Sequence, residues 1–90
     1  MSTVFITDYP WPDTDLEAAL LAGAGHRLVA GPSVPASAGE IARQTGACGP
    51  AAILTCWAPV LAAAIAAEPD LRHIGRLGVG LDNIDVAAAT

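Results

Sequence analysis

Gly75-Arg76-Leu77-Gly78-Val79-Gly80-Leu81-Asp82-Asn83-Ile84-Asp85-Val86-Ala87-Ala88-Ala89-Thr90 reads as the end of a strand, a glycine turn and the start of an alanine-rich helix. A dinucleotide loop needs glycine at three positions, G-x-G-x-x-G, after the first strand of its unit. Gly78 and Gly80 match, but the third position is Asn83, and the stretch follows the fourth strand-like run of the chain. The nucleotide-loop reading therefore fails. Two readings stay open. The glycines can serve a tight turn that needs positive φ. They can also let backbone N–H groups face a small carboxylate or phosphate beside an incoming helix. Arg76 then adds a fork-shaped cation matched to a carboxylate.

Upstream the same strand–loop–helix alternation repeats. Val4-Phe5-Ile6-Thr7 is a buried strand running into Asp8-Tyr9-Pro10-Trp11-Pro12, whose two prolines hold an extended loop. Asp13 or Thr14 can cap a helix, with Glu17 at capping-box spacing from Thr14. Leu16, Leu20 and Leu21 share its apolar face, and Gly23 or Gly25 stops it. Arg27–Ala30 predicts a second strand. Ser37 caps a helix reaching about Thr45, and Ala51–Thr55 predicts a third strand. Pro59 opens a helix over Val60–Ala67. His73–Leu77 predicts a fourth strand, and Asn83 or Asp82 caps a last helix from about Ile84. Four alternations predict an α/β fold: an open parallel sheet of about four strands with helices on both faces. Ligands of such sheets bind at the carboxyl ends of the strands, so the loops Asp8–Asp13, Cys56–Pro59 and Gly78–Asn83 are the places to look.

Composition narrows the function classes. The 90 residues are 53% hydrophobic with a mean hydropathy of +0.50, and the net charge is −5 from nine acidic and four cationic side chains. All four cations are Arg (27, 43, 72 and 76), and there is no Lys. Sparse, acidic charge without a basic patch argues against nucleic acid as a partner. No apolar run reaches membrane-spanning length, and the start lacks a basic leader. Cys48 and Cys56 form neither a disulfide framework nor a zinc pattern, which sets a reduced, cytoplasmic protein as the expectation. Asp82, Asn83 and Asp85 suit a turn and helix cap better than a metal site.

The stretch Arg76–Thr90 carries the pattern R-x-G-x-G-x-D-N-I-D and is similar to a signature of the D-isomer-specific 2-hydroxyacid dehydrogenases, the family that includes phosphoglycerate dehydrogenase. Thr7–Asp13 and Ala58-Pro59-Val60 resemble its branch related to the C-terminal-binding proteins. The resemblance implies a flavodoxin-like substrate domain of which residues 1–90 are the N-terminal part, with an NAD-binding Rossmann domain outside this chain. It implies an NAD-dependent oxidoreductase acting on D-2-hydroxy and 2-keto acids, a homodimer when complete. The family's catalytic Arg, Glu and His lie in or after the central domain, so the 90 residues are expected to be inactive alone, with no catalytic residue of their own. The alternative in the same fold is a non-catalytic, NAD-sensing interaction protein like the co-repressors of that branch.

The resemblance also assigns site residues. The backbone amides at Gly78, Val79 and Gly80 are expected to hold the substrate carboxylate, with Val79 also bordering the cofactor. Arg76 is expected to face that carboxylate, against an ion pair with Asp82 or Asp85. Cys56 and Trp57 stand where family members often carry Arg-Ser toward the substrate, which argues against a phosphorylated one. Trp57 either walls the pocket or covers the core. Cys56 lacks a neighbouring base to make it a nucleophile. Glu68, His73 and Arg76 have the residue types of an acid–base trio, but His73 opens a strand and Glu68 ends a helix, so structural roles are expected for both. Asp8 after the first strand invites a phosphoacceptor-receiver reading, which fails because the third strand ends Leu54-Thr55-Cys56 and the chain has no Lys.

Overall fold

The computed structural model describes residues 2–9, 11–31, 36–76 and 83–89. Four strands, β1 (Thr3–Ile6), β2 (Arg27–Ala30), β3 (Ala52–Thr55) and β4 (His73–Arg76), alternate with four helices. The helices are α1 (Asp15–Gly23), α2 (Ala38–Cys48), α3 (Ala62–Ala66) and α4 (Val86–Ala89). All strand pairs are parallel, in the order β2-β1-β3-β4. The expected α/β parallel sheet is what forms, in the strand order with which flavodoxin-like sheets begin. The chain steps from β1 outward to β2, then back across β1 to β3. Right-handed crossovers therefore put α1 on one face and α2 and α3 on the other.

Register aligns Val29, Phe5, Ile53 and Ile74 in one row across the sheet. Side chains alternate between faces, so this row meets Ile41 of α2 and Ala64 of α3 in a single core. Phe5, Ile41, Ile53, Val60 and Ala64 are buried there. The α1 face is thinner. No residue of α1 is buried, and Leu16 and Leu20 are 69% and 68% exposed, so the expected apolar face of α1 stays largely in solvent.

Helix ends follow local chemistry, with corrections. Ser37 caps α2 as expected, its side chain accepting from the Glu40 amide. The helix runs one turn past Thr45 because Gly49, at φ 59°, supplies the left-handed stop. Thr14 precedes α1 but its side chain caps nothing. Asp13 Oδ1 accepts from the Asp15 amide at 3.1 Å instead. The helix expected from Val60 begins only at Ala62, and the one expected near Ile84 begins at Val86. One cause covers both. Val60 and Ile84 form an isolated parallel bridge, with Val60 N donating to Asn83 O (2.8 Å) and Asp85 N to Val60 O (3.0 Å). Burying Val60 beside the sheet outweighs one more helical turn. The α4 cap is Asp85, whose Oδ1 accepts from the Ala88 amide (3.0 Å), rather than Asn83. Asp82 lies outside the described residues.

Candidate functional site

The point where the strand order reverses lies between β1 and β3, and their carboxyl ends carry the densest polar network among the described residues. Thr7, Asp8 and Thr55 are all fully buried. Thr7 continues the β1 ladder by donating its amide to Leu54 O at 2.9 Å. That fixes the next residue, Asp8, beneath the loop after β3.

The Asp8 carboxylate is a hydrogen-bond acceptor for that whole loop. Its Oδ1 accepts from Thr7 Oγ1 (2.7 Å), Cys56 N (3.1 Å) and Ala58 N (3.2 Å), and its Oδ2 accepts from Trp57 N (2.9 Å). Three successive amides thus converge on one anion, the arrangement of a backbone nest. Burial pushes the Asp8 pKa up. The Trp57 amide, the Thr7 hydroxyl and the Cys56 and Ala58 amides outweigh it and hold the group below the ordinary carboxylate range. Asp8 is therefore placed as the hydrogen-bond anchor of the 56–58 loop.

Asn83 closes the network from the other side. Its Nδ2 donates to Ala58 O (2.9 Å) and Cys56 O (3.3 Å), and its Oδ1 accepts from Arg76 Nε (3.0 Å). These partners leave one orientation for the amide, since carbonyls need its nitrogen and the guanidinium needs its oxygen. Thr55 Oγ1 also donates to Ala58 O (2.9 Å). The result is one tied assembly: Asp8 holds the amides of the 56–58 loop, Asn83 holds its carbonyls, and the same Asn83 aims Arg76 at the end of β4.

Of the expected site residues, Arg76, Cys56 and Trp57 come together at this edge. The Nε contact of Arg76 goes to Asn83, and Asp85 spends an oxygen on capping α4. Gly78, Val79 and Gly80 lie outside the described residues. Burial raises the Cys56 thiol pKa, the Asp8 charge raises it further, and Arg76 opposes only in part. A thiol kept protonated is a poor nucleophile. Trp57 is 57% exposed, so its ring rims the site and does not cover the core. His73 sits at the opposite, amino end of β4, away from Arg76. Glu68 Oε1 accepts from the Asp70 amide in a turn (2.9 Å). No acid–base trio is assembled from them.

Asp8 and Asn83 as anchors were missed in the sequence. Asp8 meets partners 48 to 50 positions away, which no local pattern reports. The one available signal was an Asp placed directly after a buried strand, at a position where an unpaired charge would be prohibitively costly.

Among the described residues no cluster of His, Cys, Asp and Glu could hold a metal ion, and no helix is long and apolar enough to cross a membrane. A comparison with family models and with curated proteins finds no match.

Proposed function

We propose that these 90 residues are the N-terminal part of the substrate-binding domain of an NAD-dependent oxidoreductase of the D-2-hydroxyacid dehydrogenase type. The observation that carries this reading is Arg76, a planar cation anchored through Nε at the carboxyl end of β4 beside the switch in strand order. Ligands of open α/β sheets bind there, and a guanidinium fork matches the carboxylate shared by 2-hydroxy and 2-keto acids. The similarity of Arg76–Thr90 to the family signature supports the same assignment.

In this reading the chain's part is recognition. Arg76 orients the carboxylate, and the Asn83 amide keeps the guanidinium from collapsing into solvent-driven rotamers. Asp8 holds the 56–58 loop as a fixed wall. The described residues do not fit a dinucleotide: the amides of Cys56, Trp57 and Ala58, which would serve a pyrophosphate at the switch point, are already satisfied by Asp8. NAD is therefore assigned to a domain outside these residues, and hydride transfer to no group described in them. No turnover is expected from the 90 residues alone.

The test is a ¹H–¹⁵N NMR titration of the chain with oxamate, an unreactive 2-keto-acid mimic. Saturable shifts are expected at the Arg76 Nε–H and in the loops after β1 and β3, and Arg76→Met should abolish them. Absence of saturable shifts there, or equal shifts in Arg76→Met, would overturn the reading.

A further inference from the structure

We infer that the flank of α2 beside the outer strand β2 holds a second binding site, for a small neutral ring compound that carries an O–H or N–H donor. β2 and β4 are the opposite edges of the sheet, so this place is separate from Arg76 and independent of the carboxylate reading. An open-mouthed cavity of about 320 Å³ lies there, at the small end of the roughly 300–1,000 Å³ that ligand pockets occupy. Its strand side includes Phe5 and Val29, which are neighbours in the row of side chains that crosses the sheet. Its helix side is Arg43, Gln44, Ala47 and Cys48, and positions 43, 44, 47 and 48 share one side of a helix. A mostly apolar cavity with a few polar groups is the usual make-up of a small-molecule site.

Gln44 sets the chemistry. Its Nε2 donates to Glu40 Oε1 at 2.9 Å. The opposite orientation would press an amide oxygen against a carboxylate, so the donor side of the amide is committed to Glu40. Oε1 is left buried with no hydrogen-bond partner. A buried acceptor without a donor is costly, and this one belongs to a side chain that lines the cavity. A ligand that brings an O–H or N–H removes that cost. Charge is already balanced at the site. Arg43 is the one charged side chain of the lining, and Glu40 Oε2 accepts from its Nε at 2.8 Å. An ionised ligand beside Phe5 and Val29 would lose hydration while the cation nearest to it is already paired, which favours a neutral one. The guanidinium held by Glu40 offers a flat cationic face, and an aromatic ring packs well on such a face.

The experiment titrates the chain, by ¹H–¹⁵N NMR, with p-cresol and with its methyl ether, which keeps the ring and lacks the O–H. p-Cresol is expected to give saturable shifts at the Phe5, Val29 and Ala47 amides and at the Gln44 side-chain amide. The ether should bind roughly three- to tenfold more weakly, the range of one neutral hydrogen bond. Gln44→Met keeps the length of the side chain and removes the acceptor, so it should bring the ratio of the two affinities toward one. Ala47→Leu fills the cavity from an exposed helix position and should abolish binding of both probes. Amide dispersion checks the fold of each variant. Absence of saturable shifts with p-cresol would show that the cavity takes only water, and would overturn the inference. Equal binding of the two probes, a ratio that survives Gln44→Met, or unchanged binding to Ala47→Leu would overturn it as well. None of these outcomes bears on oxamate at Arg76.

Discussion

The two ends of the sheet use polar residues in opposite ways. At the carboxyl end Thr7, Asp8 and Thr55 are fully buried, and the hydrogen bonds among them, the 56–58 loop, Asn83 and Arg76 run from 2.7 to 3.5 Å. At the amino end Arg27, Arg72 and His73 are exposed, and the Arg27 contact to Thr3 Oγ1 is long, at 3.4 Å. Exposed charges in water contribute little. Buried groups that lose a partner cost the full desolvation of what remains. The same residue types therefore carry structure at one end, and at the other mainly keep the surface wetted.

Asp8→Ala should have the largest effect. It would strand the buried Cys56 and Ala58 amides, the part-buried Trp57 amide and the buried Thr7 hydroxyl around a cavity. A loss of about 3–5 kcal/mol is expected, a large share of the ~5–15 kcal/mol that holds a domain of this size together. Chemical denaturation would show an unfolded or barely folded chain. A midpoint near wild type would mean that the carboxylate anchors nothing, and the contrast between the ends would disappear.

The same group gives a pH test that leaves the fold intact. The Asp8 pKa is depressed in the folded state. Its contribution is therefore complete above the unfolded value and is lost as pH falls through the folded value, which places the loss below about pH 4. Wild-type Tm should drop more steeply between about pH 6 and pH 3 than that of Asp8→Asn. Glu40 is held at about 2, chiefly by its hydrogen bond from Arg43 and also by one from Gln44. Its loss on acidification has the same sign but persists in both proteins, so the difference between the curves isolates Asp8. Parallel curves would contradict the burial argument.

Gly31 sharpens the comparison by sterics alone. It directly follows β2 at the carboxyl side, and a Cβ there would stand 2.6 Å from the Thr7 carbonyl oxygen. Backbone cannot swing aside as a side chain does, so Gly31→Ala should cost about 1–3 kcal/mol. Thr55→Val keeps shape and removes the hydroxyl that donates to Ala58 O. Because Asn83 still serves that carbonyl, about 1–2 kcal/mol is expected. Urea unfolding with an unchanged m-value would measure both.

How much of this was legible in the sequence follows the range of the interactions. The four strands announce themselves as short apolar runs, and Ser37 and Gly49 mark the ends of α2 with local chemistry. Parallel topology follows from the alternation. What stayed hidden depends on partners far along the chain. Val60 and Ile84 sit in apolar, alanine-rich stretches that read as helix, and only their mutual pairing takes them out of it. Asn83 has the residue type of a helix cap and is one by every local criterion, yet its amide is claimed by carbonyls 25 and 27 positions away. Arg76 was legible from its neighbours in sequence as a cation at the end of its strand and a candidate carboxylate partner. The residue that aims it was not.

The smallest effects belong at the amino end. Arg27→Ala and Arg72→Ala remove exposed guanidinium groups, and the Arg27 bond to Thr3 Oγ1 is long at 3.4 Å, so each should change stability by no more than about 0.5 kcal/mol. Neither should disturb oxamate binding. A four-residue strand spans about 10 Å, which already exceeds the roughly 8 Å Debye length at physiological ionic strength. An amino-end charge is therefore screened from a ligand at the carboxyl end. Arg76→Met removes a cation of the same type from the other end and should weaken oxamate binding at least tenfold, the loss of about one charge-assisted hydrogen bond. The three variants differ little in net charge, so a general electrostatic attraction would weaken binding in all of them alike. Equal losses in Arg27→Ala, Arg72→Ala and Arg76→Met would show that the acid is drawn to overall charge, and that the anchored guanidinium at the end of β4 has no special place in recognising it.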